Sequence, residues 1–201
     1  MRIGIFGGSF NPPHKMHKQI AIELLEKDYL DKVIYVPTGN NYNKANLLDG
    51  DDRIKMIELM IEGYNEKLEV SDFEVRGSLY TINTLNYFKD KFPDDEIYFI
   101  CGTDNLAEFY TWRNYEEILK NYKILIIARN CAKFDDIIKG YSEYVHNIIL
   151  ANIDMNVISS TKIREEIIEN GFTEILNQYM DKSVIEYLKG VHIVEKWSNK
   201  V

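Results

Sequence analysis

Short apolar runs alternate with apolar stripes of helical period along most of the chain. Ile3 to Phe6 reads as a strand, and the segment Lys15 to Lys27 that follows carries Ile20, Ala21, Leu24 and Leu25 at helical spacing. Val33 to Val36 is again apolar and β-branched, so the chain opens strand, helix, strand. Ile54, Ile57, Met60 and Ile61 form the next stripe, with Asp51 and Asp52 placed to cap it. Leu68 to Val75 alternates weakly and reads as a strand, and the period turns helical from Leu79 to Phe88, with Thr81 near the cap. Glu96 to Cys101 is a short strand of β-branched and aromatic residues. A short helix or turn around Trp112 and a helix through Tyr115, Ile118 and Leu119 come next. Lys123 to Arg129, apolar on both faces, predicts a buried strand. Residues 130 to 145 show only helix-like patches near Phe134, Ile137 and Ile138. Ile148 to Leu150 predicts a last strand, Ser159-Ser160-Thr161 cap a helix through Ile168, and helices near Ile175 to Tyr179 and Val184 to Leu188 close the chain.

Strands alternating with helices predict an α/β fold, a Rossmann-like parallel sheet with helices on both faces, joined by right-handed crossovers. The expectation is one domain over 1–201, its C-terminal helical part at about 159–195. The polar segments then collect at the C-terminal ends of the strands, where open α/β sheets bind ligands.

Three polar segments matter most. Gly7-Gly8-Ser9-Phe10-Asn11-Pro12-Pro13 joins the first strand to the first helix, and a turn that lets backbone N–H groups approach a ligand at a helix N-terminus suits a phosphate. His14 and His17, three residues apart, face one side of that helix. Pro37 to Lys44 is a polar loop at the end of the second strand, and Lys44 is its natural phosphate contact.

Net charge is −8, which argues against a general nucleic-acid surface but not against a nucleotide held by a local cluster of cations and helix ends. No apolar run of about 18 residues and no signal-like start is present, so the expectation is a cytoplasmic protein with no membrane partner. Cys101 and Cys131 lack CxxC spacing and read as buried thiols.

The run Gly4 to His17 resembles the nucleotidyltransferase superfamily signature, and Ile158-Ser159-Ser160-Thr161-Lys162-Ile163-Arg164 resembles that superfamily's second ATP-binding element. Leu79 to Leu85, Phe99 to Asp104 and Trp112 are similar to further blocks of the bacterial nicotinate-nucleotide adenylyltransferases, and the match runs from Met1 to about Glu195. A dinucleotide dehydrogenase would need the absent G-x-G-x-x-G turn. Phosphopantetheine adenylyltransferase shares only the first and last motifs.

The resemblance implies transfer of AMP from ATP to the 5′-phosphate of a pyridine mononucleotide, with Mg²⁺ assisting. It implies that Gly8, Ser9 and Phe10 hold ATP phosphates by their amides and that His14 and His17 donate to oxygens around the α-phosphorus. Ser159, Ser160, Thr161 and Arg164 form the second cradle. Lys44, Thr81, Asp104, Glu108 and Trp112 serve the mononucleotide: Trp112 stacks on the pyridine, Thr81 contacts its substituent by a backbone amide, and Asp104 binds ribose hydroxyls or helps place nucleotide and metal. No all-protein metal site is expected, since Mg²⁺ commonly binds through substrate phosphates and water. The oligomeric state, a homo-oligomer included, is left open.

Three features depart from the bacterial pattern. Met16 stands where Gly is usual, and Gly39 to Lys44 with Leu47-Leu48 resembles the loop of the eukaryotic nicotinamide/nicotinate mononucleotide enzymes. Glu108, four residues before Trp112, replaces an aromatic. A carboxylate lining the pyridine pocket would repel nicotinate and accept a bond from nicotinamide. A nicotinamide-preferring or dual-specificity enzyme is therefore the alternative, with a nucleotide-binding regulator that has lost turnover behind it.

Overall fold

Strands joined through crossover helices run parallel, and all five strand pairings among the described residues do. The computed structural model describes residues 1–40, 46–64, 66–78, 80–128, 131–153, 158–191 and 197. Strands β1 (Arg2–Gly8), β2 (Lys32–Pro37), β3 (Leu68–Val70), β4 (Glu96–Gly102), β5 (Lys123–Ile127) and β6 (Ile148–Ala151) form one sheet in the order β3-β2-β1-β4-β5-β6. The helices are α1 (Lys15–Glu26), α2 (Gly50–Met60), α3 (Thr81–Lys91), α4 (Thr103–Glu108), α5 (Tyr115–Asn121), α6 (Cys131–Ile137), α7 (Ser160–Asn170), α8 (Leu176–Tyr179) and α9 (Lys182–Gly190). A 3-10 turn covers Phe109–Thr111, and a kinked 3-10 stretch covers Ile138–Asn147.

Two apolar clusters lie on the two faces. One joins Ala21 and Leu24 of α1, Met56 and Ile57 of α2, Ile163 and Ile167 of α7 and Leu188 of α9. The other joins Leu85 of α3, Leu106 of α4 and Ile118 of α5 to Ile5 and Phe99 of the central strands. Strand order reverses between β1 and β4, so the crossover helices leave the ends of these neighbours toward opposite faces and open a crevice there. No helix among the described residues is long and apolar enough to cross a membrane.

Several local expectations need correction. The strand expected over Leu68 to Val75 ends at Val70. Ser71 and Asp72 then turn the chain: the Phe73 amide donates to Ser71 Oγ at 3.3 Å, the Arg76 amide donates to the Asp72 carbonyl at 2.9 Å, and Gly77 takes a φ of +132°. β5 stops at Ile127, and Arg129 lies outside the described residues. The cap of α2 is Asp49, whose carboxylate accepts from the Asp51 amide at 2.9 Å; Asp51 and Asp52 sit in the first turn, where the helix dipole favours them. Cys101 is buried as expected, and burial raises its thiol pKa; the Cys131 side chain is outside the described residues.

The buried face of α2 is Arg53, Met56, Ile57 and Met60, with Ile54 only half-buried. Arg53 is fully buried because its guanidinium meets backbone acceptors from three segments. It donates to the carbonyls of Leu48 (2.9 Å), Ser9 (3.1 Å) and Thr38 (2.7 Å), and to Asn40 Oδ1 (3.2 Å). Burial lowers its pKa to about 10, with Asp49 and Glu74 pulling the other way, so it stays charged at neutral pH. Arg53→Met fills the space but strands three carbonyls, and should cost about 3 kcal/mol or more. Urea unfolding checks this as a lower midpoint at unchanged slope; a loss below about 1 kcal/mol would remove Arg53 from this role.

Candidate active site

The two glycines of the first motif are not the turn. Gly7 and Gly8 still belong to β1, paired with Val36 and Pro37 of β2. The chain bends after them, and the left-handed residue is Phe10, at φ +44°. An aromatic side chain rarely takes that conformation, so packing must hold it there. The Phe10 ring is buried against Phe6, Tyr35 and His17, with centroids 5.6, 5.6 and 4.9 Å away. Gly8 is needed for room, since a Cβ there would stand 3.1 Å from that ring.

His14 is the N-cap of α1 and His17 its third residue. Their rings stack, 3.7 Å between centroids and 20° from parallel, as the three-residue spacing predicts. The His14 amide donates to His17 Nδ1 at 3.2 Å. A neutral His17 therefore carries its ring proton on Nε2 and acts as a donor there. Tyr35 of β2 steadies this turn of helix by donating its hydroxyl to the His17 carbonyl at 3.0 Å.

The second motif docks on the first. Ser159 is the N-cap of α7, its side chain accepting from the Lys162 amide at 3.2 Å. Ser160 Oγ donates to the Pro12 carbonyl at 2.9 Å. Arg164, one turn on, donates to the Asn11 carbonyl at 2.8 Å and to Thr161 Oγ1 at 3.2 Å, and its partial burial lowers its pKa. Two segments about 150 residues apart in sequence thus present two helix N-termini, two imidazoles and a guanidinium around one turn. This is an anion-binding arrangement.

A cavity of about 590 Å³ opens beside the turn, over the face of the sheet that carries α3 and α4. Gly8 and Ser9 form one part of its wall, and Thr81, Glu108 and Trp112 another. Trp112 is half-buried; its ring stacks on Phe109 at 4.6 Å and meets Phe99 edge-on at 5.8 Å. Glu108 and Trp112 line the same cavity across the 3-10 turn. Asp104 is exposed in the first turn of α4 and is not part of this wall, whereas its neighbour Asn105 is. Lys44 lies outside the described residues. The described residues hold no group of three or more His, Cys, Asp or Glu side chains arranged to bind a metal ion.

Sequence reasoning missed three residues that build this site. Arg53 interrupts an apolar stripe at its own helical spacing, and a cation there was the available signal. Asn11 is buried, donating to the Asn46 carbonyl at 2.9 Å and accepting from the Leu48 amide at 3.0 Å. Glu74 was hidden in a segment read as a strand. It lines the cavity and accepts from Thr84 Oγ1 at 2.7 Å.

Burial pushes the Glu74 carboxyl up to about 7, while Thr84 and Arg53 pull it down. In the unfolded chain the same group ionises near 4.5. Between these values the folded protein binds more protons than the unfolded one, so this group's contribution to stability falls as pH rises through the window. Glu74→Gln removes that dependence. The melting temperature of the variant relative to wild type should be higher at pH 8 than at pH 5, by the equivalent of roughly 2 kcal/mol; equal differences at the two pH values would contradict the assignment.

A family model described as cytidylyltransferase-like matches residues 5–166. A curated relative from Caldicellulosiruptor bescii, named "Probable nicotinate-nucleotide adenylyltransferase", is 37% identical over 94% of this chain and 96% of its own length. One of the same name from Clostridium novyi is 38% identical over 82% and 86% of the two chains. Among solved structures, the nicotinic acid mononucleotide adenylyltransferase of Plasmodium falciparum, complexed with NaAD, superposes with a TM-score of 0.82 over 96% of this chain and 97% of its own, at 21% identity. That likeness carries the fold. With the relatives' identity running over nearly the whole length, the chain belongs to the cytidylyltransferase-like family and, within it, to the nicotinate-nucleotide adenylyltransferases.

Proposed function

We propose that this chain is a cytoplasmic enzyme of NAD biosynthesis that transfers AMP from ATP to nicotinate mononucleotide, giving nicotinate adenine dinucleotide and pyrophosphate. One observation carries the reading: a cavity walled by Trp112 and Thr81 opens onto a turn at which both nucleotide-binding motifs converge. A mononucleotide laid along the cavity with its pyridine on Trp112 brings its 5′-phosphate to Ser9. ATP on the α1 and α7 side of the turn brings its α-phosphorus to the same place.

The reaction needs no nucleophilic side chain. The attacking phosphate is largely dianionic near neutral pH, its second pKa being about 6. Its oxygen bonds to the α-phosphorus of ATP as the bond to the β-phosphate bridge oxygen breaks, and pyrophosphate leaves. The obstacle is the approach of two anions and the charge growing on the leaving group, so fixed donors do the work. His17 Nε2–H and His14 serve the α-phosphate, the amides of Ser9 and Phe10 serve the phosphates at the turn, and Arg164 with the N-terminus of α7 serves the β- and γ-phosphates. Lys44 is assigned to the phosphate of the mononucleotide, and Asp104 to helping place nucleotide and metal. Mg²⁺, held through the triphosphate and water, would add neutralising charge on the pyrophosphate.

Glu108 on the cavity wall favours a second reading, in which nicotinamide mononucleotide is preferred or both are used. Pyrophosphate release with ATP and Mg²⁺, measured separately for the two mononucleotides and for phosphopantetheine, tests both. Turnover is expected with nicotinate mononucleotide, and failure with both pyridine nucleotides would overturn the assignment. Glu108→Tyr should raise the preference for nicotinate; an unchanged ratio removes Glu108 from selectivity. His17→Ala should slow turnover by roughly 10- to 100-fold, the loss of one charge-assisted donor, and near-normal kcat would sink its role.

A further inference from the structure

The cavity contains a polar cluster that no role above uses. Glu74 spends one carboxylate oxygen on Thr84 and makes no other side-chain hydrogen bond among the described residues. Thr38 Oγ1 and Ser78 Oγ, on the same wall, are buried and unbonded among the described residues. Orphaned buried hydroxyls are costly, so such a group points to a partner that brings its own polar atoms.

The position of the cluster limits what that partner can be. Thr38 adjoins the phosphate turn, its amide donating to the Gly8 carbonyl at 2.9 Å, and Arg53 joins the Thr38 and Ser9 carbonyls. Thr84 lies one helical turn from Thr81, on the pyridine side. Glu74, Thr84, Thr38 and Ser78 all line the cavity. Between a pyridine and a 5′-phosphate a mononucleotide has only its ribose. Vicinal hydroxyls suit a carboxylate flanked by hydroxyl groups, which can accept from both and donate back.

We infer that Glu74, with Thr84, Thr38 and Ser78, binds the ribose hydroxyls of the mononucleotide and makes the enzyme selective for a ribose over a deoxyribose acceptor. This rests on the reading that the cavity takes a pyridine mononucleotide. It moves the acceptor's ribose contact away from Asp104, which is exposed outside the wall.

The test compares kcat/KM for nicotinate mononucleotide with its 2′-deoxy and 3′-deoxy analogues. Wild type should prefer the ribose form over at least one analogue by about tenfold or more. Glu74→Ala should lower kcat/KM for the ribose substrate about 10- to 100-fold while lowering that analogue less than about threefold, so the preference collapses. Ser78→Ala and Thr84→Val carry the test where Glu74→Ala does not fold: a reduced preference supports the inference, and an unchanged one overturns it. A wild type that does not discriminate, or a Glu74→Ala loss equal on all three substrates, also overturns it while leaving the adenylyltransferase reading intact. A wild type inactive on all three overturns both.

Discussion

A guanidinium buried without a carboxylate hydrogen-bond partner among the described residues is the constraint on which the site rests. Arg53 draws the carbonyls of Ser9, Thr38 and Leu48 around one cation, so the turn after β1, the loop after β2 and the start of α2 behave as one body. With these carbonyls fixed on Arg53, the turn after β1 is held in place beside the N-terminus of α1. The left-handed backbone at Phe10 is held by the same economy of packing, with its ring clamped among Phe6, Tyr35 and His17.

Topology divides the labour. Because strand order reverses between β1 and β4, α1 and α7 pack on one face and α3 and α4 on the other, with the end of β1 between the two sets. Imidazoles and a guanidinium gather on the first face, an indole and carboxylates on the second. Two anionic substrates can thus be bound apart and still bring their phosphates to one point. For a reaction limited by charge repulsion, this separation followed by convergence is the catalytic device.

Most of the sheet and both nucleotide motifs were legible in the sequence because they rest on local rules: apolar period, strand-end glycines, a serine cap. His14 and His17 could be paired from spacing alone. What escaped depends on contacts distant in sequence. Arg53 looks like a surface cation until its three carbonyl partners are brought to it, and Glu74 looks like an alternating strand residue because Ser71, Asp72 and Gly77 turn the chain only weakly in pattern. The glycines were misread for a related reason: a Gly-Gly pair after a strand suggests the turn itself, whereas here both residues stay in the strand and Gly8 makes room for the Phe10 ring, which only tertiary packing reveals.

The claim at the centre of this account is that the mononucleotide lies along one cavity, its ring at Trp112 and its phosphate at the turn. A crystal structure of the protein with nicotinate mononucleotide tests it most directly. The account predicts the pyridine stacked on Trp112, the ribose beside Glu74 and the 5′-phosphate within hydrogen-bond distance of the Ser9 amide. A mononucleotide bound in the opposite sense, or outside this cavity, would contradict it.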